Sequence, residues 1–290
     1  MTFEAVAIPV LDSVSCLARR YDAWLVDIWG VMHNGARAFP HAADACRLFR
    51  DGGGVVILIS NAPRPRETAA EQLRDIGVPD DCYDGIATSG DVTRRLIADY
   101  AGQAVYHLGP QRDLPIFDGL GVRLGGVADS AVVVCSGLRD DERETPDDYA
   151  GLLADFLASG LPMICANPDL KVERGEKLIY CAGAIAEAYE RLGGQVAYAG
   201  KPHKPIYDLA LAQAAAKRGA ELPRHRVLAI GDGIRTDIAG AAAQNIDSLF
   251  VASAVHVTGG PQAGLDAGVV ARLFSGQSAR PIAALSRLSW

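Results

Sequence analysis

Four apolar runs in this chain stop abruptly at polar side chains, and each stop carries a different chemistry. Ala23-Trp24-Leu25-Val26 ends at Asp27, followed by Ile28-Trp29-Gly30. Gly54-Val55-Val56-Ile57-Leu58-Ile59 ends at Ser60-Asn61. Gln195-Val196-Ala197-Tyr198-Ala199-Gly200 ends at Lys201-Pro202. Arg226-Val227-Leu228-Ala229-Ile230 ends at Gly231-Asp232, with Asp237 a little further on. The edge presents a carboxylate, a hydroxyl with an amide, an ammonium and a carboxylate pair. A carboxylate can attack phosphorus. Two carboxylates can share a divalent cation, while an ammonium and a hydroxyl can hold an anion.

Such groups act together only if strands deliver them to one place. Short continuous apolar runs read as strands of a parallel sheet buried on both faces. In open α/β sheets, ligands bind at the carboxyl ends of the strands. Strand and helix patterns alternate along the whole chain, which predicts an α/β fold with a doubly wound parallel sheet. A helix is expected over 65–77, a strand over 85–88, and a further helix through Leu96 and Tyr100 with Asp91 in its first turn. A second α/β unit begins near Gly102. Its strand candidates are 104–108, 131–135 and 162–166, and its helix candidates are 146–158 and 183–192. The charged stretch Arg139-Asp140-Asp141-Glu142-Arg143-Glu144 reads as a solvated loop. The expected division is therefore a core of 1–101 plus 196–290, with 102–195 inserted, and the core sheet is expected to resume near Val196. Gly52-Gly53-Gly54 precedes a strand, so it is a turn and not a dinucleotide fingerprint, which follows one.

Composition narrows the setting. The 290 residues are 49% apolar, enough for a large core in one or two domains. A net charge of -7 argues against nucleic-acid binding and against a basic membrane-facing patch. There is no apolar run of transmembrane length, and the segment from Met1 to Ala5 lacks a signal-peptide start, so the cytoplasm is the expected location. The 6 cysteines include no C-x-x-C pair, and the expectation is reduced, structural thiols.

Taken in order, Asp27, Ser60, Lys201 and Asp232 with Asp237 resemble the four motifs of the haloacid dehalogenase superfamily. About 140 residues separate Ser60 from Lys201, which is similar to the class IIA branch, where a large cap domain sits between the second and third motifs. Nitrophenyl-phosphatase-like, pyridoxal-phosphatase-like and sugar-phosphatase-like enzymes belong to that branch. Asn167-Pro168-Asp169 and the run from Gly200 to Tyr207 are also similar to class IIA patterns. The resemblance implies a Rossmann-like catalytic core, the segment 102–195 as a cap that chooses the substrate, and a Mg2+-dependent hydrolase of small phosphorylated metabolites.

It also implies roles. Asp27 becomes the nucleophile that forms an aspartyl-phosphate. Asp27, Asp232 and the backbone carbonyl of Trp29 become Mg2+ ligands. Ser60, the amide of Asn61 and Lys201 contact the phosphate, and Asp237 orients water or Lys201. Asn167-Pro168-Asp169 shapes a loop facing the active site, with Asp169 either a turn residue or a substrate contact, and His203 stays outside the catalytic set. Trp29 departs from the pattern, since the family usually carries there a second aspartate that protonates the leaving group. His33 is the candidate to replace it, the alternative being a polar loop residue or a contact to the cap. The rival expectation is a catalytically weak or inactive binding protein that keeps the metal and phosphate sites. Hydrolysis of a carbon–halogen or carbon–phosphorus bond fits less well with so large an insertion. A homodimer is compatible with either reading.

Overall fold

The fold is taken from a computed structural model that describes residues 7–174, 177–252 and 265–290. In chain order the strands are β1 (Val10–Leu11), β2 (Ala23–Asp27), β3 (Val55–Ser60), β4 (Gly85–Thr88), β5 (Ala104–Leu108), β6 (Arg123–Leu124), β7 (Ser130–Cys135), β8 (Met163–Cys165), β9 (Lys171–Arg174), β10 (Lys177–Tyr180), β11 (Val196–Tyr198), β12 (Val227–Gly231), β13 (Asp247–Val251) and β14 (Ala283–Leu285). They form a 7-stranded sheet, a 5-stranded sheet and the hairpin β9–β10. Chain contacts divide the protein into two compact units. The first is Met1–Ile59, Gln72–Ile86 and Ala210–Trp290, and the second is Ser60–Glu71 and Ala87–Leu209.

The larger sheet has the order β1-β14-β13-β12-β2-β3-β4. β2 pairs in parallel with β3 on one side and β12 on the other. Every residue of β2 and β3 is buried, which is why both read as unbroken apolar runs. Trp24 is stacked on Phe49 of the helix Pro40–Asp51 at 3.9 Å between ring centroids, and this pair anchors the helix to the sheet. Because β3 and β12 flank β2 on opposite sides, the winding reverses at β2. A crevice is expected at such a point, beyond the carboxyl ends.

The second unit holds the sheet β11-β8-β7-β5-β6, in which the pairings are parallel. One of its faces packs Val133, Cys135, Met163 and Cys165 against Phe156 and Tyr189. The other packs Val105, Val132, Val134 and Ile164 against Ile97 and Ile116. β11 was the strand on which the core sheet was expected to resume. It pairs instead with β8, Tyr198 opposite Cys165. The reason is length: a three-residue strand carries no periodicity, so its partner is not readable from its own sequence. None of the six cysteines is in a disulfide, and all but Cys16 are buried. Among the described residues no helix is long and apolar enough to cross a membrane.

Candidate active site

In the first unit the acidic residues converge at the winding reversal. Asp27 ends β2, Asp232 follows β12, and Asp237 lies in the irregular turn Ile234–Ile238. One carboxylate oxygen from each lies within 4.8 Å of the other two. Asp27 and Asp237 are buried, and Asp232 is partly so. Backbone N–H groups hold two of the three in place. Ile28 donates to Asp27 Oδ1 at 2.8 Å, and Gly233 donates to Asp237 Oδ2 at 3.1 Å. Gly30, with φ of 82°, lies so close to Asp232 that a Cβ there would run into the Asp232 carboxylate. Only glycine lets the chain after Asp27 pass at that distance.

The loop that follows β2 is folded on itself. Gly30 N–H donates to the His33 carbonyl at 2.8 Å, and Met32 N–H to the Ile28 carbonyl at 2.9 Å. The Trp29 indole lies over Gly35 and meets the edge of His33, ring centroids 5.1 Å apart. His33 is buried, and its Nδ1 accepts the Gly35 N–H at 2.9 Å, so the ring proton sits on Nε2. Burial pushes its imidazole down to about 4, which keeps it neutral at pH 7.

The second unit gathers the other expected residues. Ser60 closes β3, is buried, and accepts the Ala62 N–H at 3.2 Å. Asn61 follows it and acts as a clamp through its side chain. Its Oδ1 accepts the Lys201 N–H at 2.7 Å, while its Nδ2 donates to the Lys201 carbonyl at 3.1 Å and to Asp169 Oδ1 at 2.9 Å. One carboxamide thus fixes both backbone groups of Lys201 and ties in the Asn167-Pro168-Asp169 turn. Asn167 Oδ1 accepts the Asp169 N–H within that turn. Lys201 is only 3% exposed. His203 stacks on Tyr198 at 4.4 Å, a packing role.

This geometry agrees with what the chain is similar to. Residues 24–123 match the haloacid dehalogenase-like hydrolase family model, and residues 198–267 match a second HAD-hydrolase-like model. A crystal structure of a haloacid dehalogenase-like family hydrolase from Brucella suis 1330 shares 44% identity, covers 96% of this chain and 99% of its own, and superposes with a TM-score of 0.84. The chain belongs to the haloacid dehalogenase-like hydrolases. The 5'-nucleotidase YutF of Bacillus subtilis (strain 168) is 25% identical over 82% of this hydrolase and 89% of its own length. The ribonucleotide monophosphatase NagD of Escherichia coli (strain K12) is 26% identical over 80% and 87%. A possible sugar phosphatase of Cytophaga hutchinsonii, 19% identical with a TM-score of 0.75, shares the fold.

Within this hydrolase, sequence reasoning placed each motif residue at a strand end but missed two side-chain roles. Asn61 was expected to act through its amide, and its carboxamide is the piece that joins Lys201 and Asp169. No local pattern announces a contact spanning so much chain. Asp237 was expected in a regular first helical turn, and it lies instead in a wider π-type turn that puts its carboxylate with those of Asp27 and Asp232.

Proposed function

We propose that this hydrolase is a Mg2+-dependent phosphatase that removes phosphate from small metabolites through an aspartyl-phosphate on Asp27. The acidic cluster carries the reading. Three carboxylates this close repel one another unless a cation lies among them, and an all-oxygen donor set suits a hard divalent ion. Asp27, Asp232 and the Trp29 carbonyl would hold Mg2+, with Asp237 orienting water or Lys201 at its border. When bound, the ion would offset the negative charge that keeps a carboxylate from approaching a phosphate dianion. The names of the relatives, a nucleotidase and a nucleotide monophosphatase, point to the same bond.

In this mechanism an Asp27 oxygen attacks phosphorus, and the bond to the leaving oxygen breaks. Water then attacks the acyl-phosphate, releasing phosphate and restoring Asp27. Ser60 and the Asn61 amide hydrogen-bond the phosphoryl oxygens, and Lys201 balances their charge. The α/β insertion, assigned to 102–195 and extended by β11, serves as the cap that selects the substrate. The chain acts in the cytoplasm, and a homodimer is compatible with this. The departing oxygen needs a proton. Trp29 has none to give, and His33 offers only Nε2. Trp29 therefore favours one second reading, a weak or inactive member that binds metal and phosphate without turnover. A panel of phosphorylated metabolites assayed with and without Mg2+ tests both. Turnover that needs Mg2+ supports the enzyme, and Mg2+ binding with no turnover of any ester supports the binding protein.

A further inference from the structure

The five-stranded sheet has a reversal of winding of its own. β5 is flanked by β6 on one side and β7 on the other, so a crevice is expected beyond the carboxyl ends of β5 and β7. A polar cluster occupies that point. Ser136, the residue after β7, is buried, and its Oγ lies 2.9 Å from His107 Nε2 on β5. Asp113, in the turn Gln111–Phe117 after β5, is 3% exposed and adjoins Ser136. Its Oδ1 is buried and accepts no hydrogen bond. Arg64 Nε forms an ion pair with it at 3.7 Å, beyond hydrogen-bonding distance, so its charge is balanced while its hydrogen-bonding capacity is unused. A buried carboxylate oxygen in that state is unfavourable, and a donor from a bound molecule would relieve it. Gly109 keeps the place open, since a Cβ there would run into Ser136 Oγ and lie 2.9 Å from His107 Nε2.

The cluster also shares an edge with Lys201. Leu108, Cys135, Cys165 and Tyr198 form one level across β5, β7, β8 and β11. Above that level the chain continues into Gly109, Ser136, the Asn167-Pro168-Asp169 turn and Gly200-Lys201. Ser136 and Lys201 thus leave strands two spacings apart, or about 10 Å.

We propose that His107, Ser136 and Asp113 form a subsite for a hydroxyl or amino group on the far end of the substrate, while Lys201 holds its phosphate. The proposal rests on the phosphatase reading. It assigns the selected substrates to phosphomonoesters whose leaving group carries a hydrogen-bond donor about two strand spacings from phosphorus. A bare or short ester leaves Asp113 Oδ1 without a donor and gains nothing there.

Alkylphosphonates test this without turnover, because their carbon–phosphorus bond survives. Binding of hexylphosphonate and 6-hydroxyhexylphosphonate to the Mg2+-loaded full chain is measured by calorimetry, and nitrophenyl phosphate turnover is assayed in parallel. The hydroxyl compound is expected to bind about tenfold more tightly, as one hydrogen bond to a buried carboxylate implies. Asp113→Asn and Gly109→Ala are each expected to bring that ratio close to unity. The second variant removes room without removing a charge, so it tests the site should the first misfold. Equal binding of the two compounds by the wild type, or binding of neither, overturns the subsite. A ratio that survives both substitutions shows that the cluster only braces its loops, and this also overturns it. A clear ratio with no turnover of nitrophenyl phosphate overturns the phosphatase reading and leaves the subsite standing.

Discussion

At the scale of single residues, the proposed mechanism depends on the Asp27 carboxylate, on the clamp that holds Lys201 and on the acid missing at Trp29. Asp27→Asn keeps the shape of the site and its Ile28 contact but removes the nucleophilic charge. Phosphatase turnover is expected to fall to background with little change in melting temperature, and retention of a tenth of the activity would exclude the aspartyl-phosphate. Asn61→Ala is a different kind of change. It removes three hydrogen bonds and leaves the buried Lys201 backbone without its clamp. The expected result is a drop in kcat of about tenfold or more, as one misplaced cation implies, and an increase in KM for phosphate esters. An unchanged kcat would show that Lys201 holds its place unaided. Trp29→Asp restores an acid where the family has one. It should raise turnover of alkyl esters, whose leaving oxygen needs a proton, far more than turnover of nitrophenyl phosphate, by up to about 10^2 to 10^4. Equal gains on both would mean that protonation is not what Trp29 withholds, and His33→Ala would then be the informative variant.

At the scale of elements, the strands were readable because a strand buried on both faces has no polar positions to interrupt it. β2, β3, β5, β7 and β12 lie where the apolar runs lie, and the polar groups ending β2, β3 and β12 were readable for the same reason. The two-residue strands β1 and β6 were not readable, and neither was the hairpin β9–β10, while β11 was readable as a strand but not the sheet it joins. The opposite end of the larger sheet is held by Asp84, invisible as a motif. Its side chain is 3% exposed, accepts the Val56 N–H at 2.9 Å and two guanidinium hydrogens from Arg50, and lies 3.3 Å from Lys217. Burial alone would raise its carboxyl, but Arg50, the Val56 amide and Lys217 outweigh burial and lower it. A carboxyl lowered in the folded state stabilises at pH values above its unfolded value, and that contribution is lost as pH falls through the folded value. Asp84→Asn is therefore expected to cost roughly 1–3 kcal/mol near neutrality, with the difference from wild type shrinking in acid. A cost independent of pH in chemical denaturation would rule out this account.

At the scale of the whole molecule, metal and fold are linked. A cation held by Asp27, Asp232 and the Trp29 carbonyl in the folded chain and not in the unfolded one would stabilise the fold by mass action. At a hundredfold excess over its dissociation constant the gain is about 2.7 kcal/mol, or roughly 5 °C in Tm. Chelation should reverse it together with the activity, and a Tm indifferent to Mg2+ would remove the ion from this site.

The three tryptophans give the protein a built-in optical record. Trp24 is sealed in the core against Phe49, so its emission should be blue-shifted and should move to the red only when the sheet unfolds. Trp29 is half-buried in the loop that leaves Asp27, with its ring against His33. In a chain carrying Trp24→Phe and Trp290→Phe, the remaining fluorescence would come from the one position where the family's acid is missing. Its intensity, followed during titration with Mg2+ and then phosphate, would report each occupant of the site in turn without any turnover being required.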